Sequence, residues 1–315
     1  MTVAFPPALV DALAAAETEY CAKVSHKDPR DTIHRIYEGT RYSVALLAPF
    51  LERVPAARVL EVGSGTAFVL CELINRGVDA VGIEPGSSLG FIGRYERALA
   101  LLEANGIRPA EAYLKSAVAE DLPFESGSFD LVYSTSVLEH VADARRALSE
   151  AVRVLKPAGT VVLTVPNFNS FYEAHYAIPW VPYLLNNKTL AKWYVSRVWR
   201  RDPSFVDELN FTTPGKMRAL LRELGSATRG DVYPALAGRL SVISSVHYYL
   251  SLGHVQKHPA LSFVASRPWL ALAVTRCVRV LSEVLAALGL ASDMRVLVRR
   301  GDHRPGLPSS ISVGR

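Results

Sequence analysis

The stretch VLEVGSGTAFVL, residues 59–70, decides the fold. An apolar, β-branched run meets a small glycine-rich turn and then becomes apolar again. That is the pattern of a strand passing through a tight turn into a helix. Gly63 and Gly65 let the backbone approach a ligand closely. A helix starting near Thr66 presents free N–H groups and a positive dipole end. A dinucleotide fingerprint requires a third glycine where Phe68 stands, and a bulky ring there obstructs the close helix–strand approach. A phosphate-binding loop requires a Gly-Lys-Ser/Thr ending, which is absent. Pyrophosphate readings are therefore weak, and another adenosine compound, or no ligand, remains. Glu84 ends the next strand, VDAVGIEP, 23 residues after Glu61. A carboxylate there can accept from both hydroxyls of a ribose, or serve only as a solvated turn residue.

Outward from this turn, residues 57–166 alternate strand and helix signals. FVLCELINRG has helical spacing, and residues 94–105 form a further helix pattern. AEAYLKSAV reads as a third strand and FDLVYST as a fourth. DARRALSEAVRVLKPAG is a helix capped by Asp143 and ended by Pro157 and Gly159. TVVLTVP is a fifth strand. Near-continuous apolar strands alternating with helices predict a parallel sheet covered on both faces. The pattern breaks at Pro166. Residues 167–212 hold 11 of the 28 aromatics and three of the four tryptophans, and are expected to form an inserted cap. TTPGKMRALLRELG is a helix with Thr213 as N-cap and Pro214 at its first position. Residues 268–290 are long and apolar, but Arg276, Arg279 and Glu283 are costly in lipid. Leu270, Val274, Cys277, Leu281, Val284 and Leu288 repeat at helical spacing, so this is an amphipathic helix for core packing, dimerisation or a membrane surface. DMRVLVRR reads as a last strand.

Four parts follow: 1–166, N-terminal helices and a ligand-binding core; 167–212, the cap; 213–300, completion of the core with the amphipathic extension; and 301–315, a flexible tail. Residues 1–166 hold 16 Lys+Arg against 21 Asp+Glu, and residues 167–315 hold 19 against 9. The basic part suits an anionic substrate, nucleic acid or a membrane surface, or is an Arg-rich solvated face. Cys21, Cys71 and Cys277 are far apart and give neither a disulfide framework nor a metal spacing. The first twenty residues lack a basic n-region and do not read as a signal peptide; the expected location is the cytoplasm, with peripheral membrane contact as an option.

Four blocks in order resemble the class I S-adenosylmethionine-dependent methyltransferases, in particular the type 11 branch with its ubiquinone-biosynthesis-like members. They are VLEVGSGTA, VGIEP, AEDLPFESGSFDLVYSTSVLEHV and ALSEAVRVLKPAGTVVLTVPN. The resemblance implies an α/β, Rossmann-like, doubly wound, mostly parallel seven-stranded sheet, with S-adenosyl-L-methionine as cofactor. It places Glu61, Gly63, Ser64, Gly65 and Thr66 around the methionine moiety, with Arg41 reaching its carboxylate. It gives Glu84 the ribose hydroxyls, Pro85 a face of the adenine, and Ala119 and Glu120 the adenine edge. Ser134 and Thr135 would flank the sulfonium. The chain departs from the family at Ala67, where relatives usually have glycine, and at Val118, where they often have aspartate for the adenine amino group.

Methyl transfer from a sulfonium is an in-line displacement in which proximity does much of the work. An oxygen acceptor also benefits from a base. His140 follows the fourth strand and has a suitable pKa for that role, or else caps the local turn; Glu139 reads as structural. Tyr172, His175 and Trp180 in the cap are the candidate acceptor-binding residues. The aromatic, basic cap suits a small, glycan or lipid-like acceptor, methylated at oxygen rather than carbon. No metal and no nucleic acid are expected, and a homodimer is an option. The alternatives are a non-catalytic partner that binds S-adenosylmethionine, and a nicotinamide-dependent oxidoreductase.

Overall fold

The structure, a computed structural model, describes residues 7–86, 93–224, 228–234, 266–267 and 290–300, with Trp269, Leu270, Ala273, Arg276, Val280, Val284 and Leu288 between them. Two helices, α1 (Pro7–Tyr20) and α2 (Pro29–Leu51), precede the sheet. Helix α2 starts where Asp28 caps the Asp31 N–H and Pro29 takes the first turn, where its missing N–H costs nothing. Then come β1 (Arg58–Val62), α3 (Phe68–Asn75), β2 (Asp79–Glu84), α4 (Arg94–Ala104), α5 (Ala110–Tyr113), β3 (Leu114–Ser116), β4 (Phe129–Thr135), α6 (Ala144–Arg153) and β5 (Leu155–Pro166). The third strand is shorter than its sequence pattern: Ala110–Tyr113 winds into a helical turn and only Leu114–Ser116 pairs with β2.

Beyond β5 lie β6 (Tyr172–Glu173), β7 (Ile178–Pro179), α7 (Lys188–Trp193), α8 (Phe205–Glu208), α9 (Pro214–Glu223), β8 (Thr228–Pro234) and β9 (Asp293–Arg300). The main sheet has seven strands in the order β3-β2-β1-β4-β5-β9-β8. β1 to β5 run parallel, while β9 is antiparallel to both its neighbours. This is a Rossmann-like doubly wound sheet. From β1 the chain goes to β2 and β3 on one side and to β4 and β5 on the other. The crevice at the carboxyl ends of β1 and β4 is therefore the topological switch point, where such sheets hold ligands.

Alternate residues of each central strand enter opposite cores, the reason the strands read as continuous apolar runs. Val59, Leu131, Tyr133 and Val162 join the core under α2, α3 and α4. Leu60, Val62, Val132 and Val161 join the core under α6 and α9. Both predicted caps form: Asp143 accepts from the Arg146 N–H and Thr213 from the Lys216 N–H.

Residues 167–212 build a third apolar cluster around Phe168, Tyr176, Trp180, Phe205 and Phe211. Its entry and exit are joined by Phe168 N–H to Thr212 O at 2.9 Å. It leans on the N-terminal segment, since Tyr20 donates to His175 O and Arg201 donates to Val24 O. Within 268–290, the described Trp269, Leu270, Ala273, Arg276, Val280 and Val284 are helical. Of the apolar stripe, Val284 and Leu288 are exposed; Val274, Cys277 and Leu281 lie outside the described residues, as does the tail 301–315. Among the described residues no helix is long and apolar enough to cross a membrane.

Candidate active site

A cavity of about 990 Å³ opens at the switch point. Its floor begins where β1 ends. The Gly63 and Ser64 N–H groups both donate to Ile83 O, at 3.0 and 2.9 Å, which folds the turn back over β2. Gly63 sits at φ +73, and a Cβ there would lie 2.3 Å from Val137 Cγ2. Only glycine meets both conditions. Ala67, the N-cap of α3, is also left-handed, at φ 59. This explains the family's glycine, because a side chain costs about 1 kcal/mol in that region. Phe68 follows, buried on the cavity wall with its ring edge-on to Tyr37.

Two carboxylates stand beside the turn. Glu84 accepts from the Gly65 N–H at 2.8 Å through Oε2, and burial raises its pKa. Glu61 is buried with its Oε2 lacking a hydrogen-bond partner. Burial, with the Glu84 charge adding to it, pushes the Glu61 carboxyl up to about 8. A buried acid held in this way is poised to ionise, releasing its proton to solvent, when a cationic ligand comes beside it.

Glu61, Gly63, Ser64, Gly65, Thr66, Glu84, Pro85, Ala119, Glu120, Thr135 and His140 all line this one cavity. Several expected residues are placed elsewhere. Arg41 is exposed on α2, while its neighbours Thr40, Tyr42 and Ser43 face inward. Ser134 is buried behind the wall, because alternation along β4 turns it away from Thr135. In the cap, Tyr172 is an exposed strand residue, and Trp180 packs between Phe168 and Phe211. His175 sits behind His140 rather than on the wall. Glu120 lines the cavity, yet its Oε1 accepts from the Ala142 and Asp143 N–H groups. It braces the loop after β4 against the loop after β3.

His140 lies beyond the turn that follows β4, its N–H donating to Val137 O at 2.8 Å. Burial, then the nearby His175 and Arg94 charges, holds its imidazole well below the usual histidine pKa. It is therefore neutral at pH 7 and able to take a proton. His175 stands edge-on to it, ring centroids 5.2 Å apart. The His175 Nδ1 meets Glu173 Oε1 at 2.6 Å, and Glu173 Oε2 accepts from the Tyr176 N–H. Glu139 is fully buried with neither carboxylate oxygen hydrogen-bonded, and burial pushes it up to about 7. One donor atom from each of Glu139, His140 and His175 lies within 4.8 Å of the others, a set able to take a divalent cation. The sequence showed no metal spacing because the cap supplies one of the three residues from 35 positions away.

The sequence reading also missed the α2 face. Ile36, Thr40 and Ser43 line the cavity at helical spacing, and Tyr133 fixes that face by donating to the Ser43 hydroxyl at 2.7 Å. The i, i+4, i+7 periodicity was the available signal. Asp207, Glu208 and Asn210 close the cavity from the cap side. Asn210 ties the cap to the loop after β4 through its N–H to Glu139 O and its Nδ2 to Val141 O.

A glycine turn at a switch point, an acid at the end of β2 and the loop after β4 share one cavity of a Rossmann-like sheet. Residues 60–163 match the methyltransferase domain family. An uncharacterized protein of Mycobacterium tuberculosis is 34% identical over 140 residues, covering 44% of this chain and 46% of that protein. A ubiquinone biosynthesis O-methyltransferase of Bradyrhizobium diazoefficiens is 33% identical over 132 residues, covering 40% and 48%. The chain thus spans about half the length of these relatives. A solved structure of Haemonchus contortus phosphoethanolamine N-methyltransferase 2 aligns with a TM-score of 0.47 at 16% identity, covering 82% of this chain and 52% of that one.

Proposed function

We propose that this protein transfers a methyl group from S-adenosyl-L-methionine to an oxygen of a small, glycan or lipid-like acceptor. One observation carries the reading: a single cavity joins the Gly63–Thr66 turn and Glu84 to His140. Glu84, with one oxygen committed to Gly65, has the other for the ribose. Glu61 faces the methionine end, where a cationic ligand gives its carboxylate a partner. Pro85, Val118 and Ala119 border the adenine, which is recognised by contact and backbone groups because Val118 offers no acceptor. His140 takes the proton of the acceptor hydroxyl as the methyl carbon shifts from sulfur to that oxygen, and S-adenosylhomocysteine leaves with the neutral sulfide. Orientation within the cavity supplies most of the acceleration. The segment 167–212 acts as a substrate cap that brings Asp207, Glu208 and Asn210 over the acceptor. The exposed Trp269, Val280, Val284 and Leu288 support a surface contact of the C-terminal helix, with a membrane or a second subunit.

The test is a turnover screen: purified protein, S-adenosylmethionine labelled in its methyl group, and acceptor pools of phenols, sugars and polyprenyl lipids. Label in an alkali-stable ether product supports O-transfer. Binding of S-adenosylhomocysteine with no labelled product in any pool removes the catalytic reading.

A further inference from the structure

On the β5 side of the cavity, past β4 from the glycine turn, three side chains meet that the cofactor does not account for. Thr164 of β5 is the register partner of Arg295 on β9, and Tyr42 of α2 is hydrogen-bonded to Arg295. Arg295 is a buried cation, only 5% exposed. One Nη donates to the Tyr42 hydroxyl at 2.7 Å, and its Nε has no hydrogen-bond partner. Among the described residues no carboxylate pairs with it. A charge taken out of water without a counter-ion is costly and is retained where an anion meets it. Thr164 is 8% exposed, lines the cavity, and its hydroxyl has no partner either. Tyr42 also lines the cavity. Because its oxygen accepts from Arg295, its own proton is left to donate, and the guanidinium strengthens that donation.

We propose that Tyr42, Thr164 and Arg295 form an anion subsite that holds a carboxylate or phosphate group of the methyl acceptor. The two hydroxyls donate from the wall, and Arg295 supplies the charge from behind Tyr42. Asp293 is the carboxylate facing the same region. The Ser292 hydroxyl donates to it, and burial raises its pKa. The subsite gives the acceptor a direction: its anionic group lies toward β9 and its methylated atom toward Thr135 and His140. This rests on reading the cavity as a methyl-transfer site.

The experiment is calorimetric titration of the full chain, with and without saturating S-adenosylhomocysteine, using benzoate, phenyl phosphate and benzyl alcohol as probes. At least one anion should bind tenfold or more tightly than the alcohol. The tighter of the two tells carboxylate from phosphate. Arg295→Gln and Tyr42→Phe should each weaken that anion at least fivefold, Arg295→Lys less so, with S-adenosylhomocysteine affinity changed under twofold. Anions no tighter than the alcohol, or unchanged in both variants, overturn the subsite. If Arg295→Gln lowers folding stability, Tyr42→Phe, which keeps the ring packing, decides. Absence of S-adenosylhomocysteine binding counts against the methyl-transfer reading, while the titrations without it still judge the subsite.

Discussion

Binding of S-adenosylmethionine should release a proton from Glu61. In the free protein this carboxyl is raised to about 8 by burial, so at pH 7 about nine molecules in ten hold the proton. In the proposed pose the cofactor would bring a sulfonium and an ammonium to a buried oxygen that has no hydrogen-bond partner. An adjacent positive charge favours the ionised acid. If binding returns the group to its ordinary value of 4.5, about 0.9 of a proton leaves per cofactor bound at pH 7. At pH 7, one unit below the free protein's value of about 8, the ionisation costs about 1.4 kcal/mol, at 1.36 kcal/mol per pH unit. That energy is drawn from cofactor binding, so affinity should rise as pH rises toward 8 and then level off. The assay is titration calorimetry in two buffers of different ionisation enthalpy, where the slope of heat against that enthalpy counts protons. Glu61→Gln should abolish the release and the pH dependence. Heats that do not depend on buffer, or a full proton still released by Glu61→Gln, would refute the assignment.

Other perturbations read other parts of the structure. His140→Ala should lower turnover at least tenfold with cofactor affinity within twofold. Since the folded His140 lies well below 6.5, wild-type turnover should hold at pH 7 and fall only in more acid solution, where the base becomes protonated. Ala67→Gly should raise stability by about 1 kcal/mol in urea unfolding, by relieving the left-handed backbone; no gain would show that the strain is absent. Gly63→Ala should be destabilising, by roughly 1–3 kcal/mol, because its Cβ would overlap Val137. Glu139→Gln tests a pH window. The wild-type carboxyl is raised to about 7, so the stability it contributes as a neutral acid is present below 4.5 and lost as pH rises through 7. The variant should gain about 3 kcal/mol on wild type between pH 4 and 8.

What the sequence disclosed was local. Glycine spacing, caps at Asp143 and Thr213, and apolar runs are properties of neighbours along the chain, and the structure keeps them. Phe68 was legible for the same reason, since one bulky residue in a known register argues against a dinucleotide in the turn. What the sequence hid depends on chain segments far apart. The inward face of α2, the meeting of His175 with His140, and the Thr164–Arg295 pair require the sheet order and the cap to be in place. Arg41 shows the limit from the other direction: its residue type suited a carboxylate, but one step along a helix turns a side chain by about 100°. Trp180 and Tyr172 suited a ligand by chemistry, yet packing spends the first on the cap core and strand pairing leaves the second outside.

The central claim is that the turn at residues 63–66 and Glu84 hold the adenosine compound of a methyl-transfer cofactor. Calorimetry of S-adenosylhomocysteine and NAD with the wild-type chain and Glu84→Ala tests it most directly. The account predicts S-adenosylhomocysteine binding to the wild type, at least tenfold weaker binding to Glu84→Ala, and no measurable NAD binding. Equal affinity for wild type and variant, or NAD binding in preference, would contradict it.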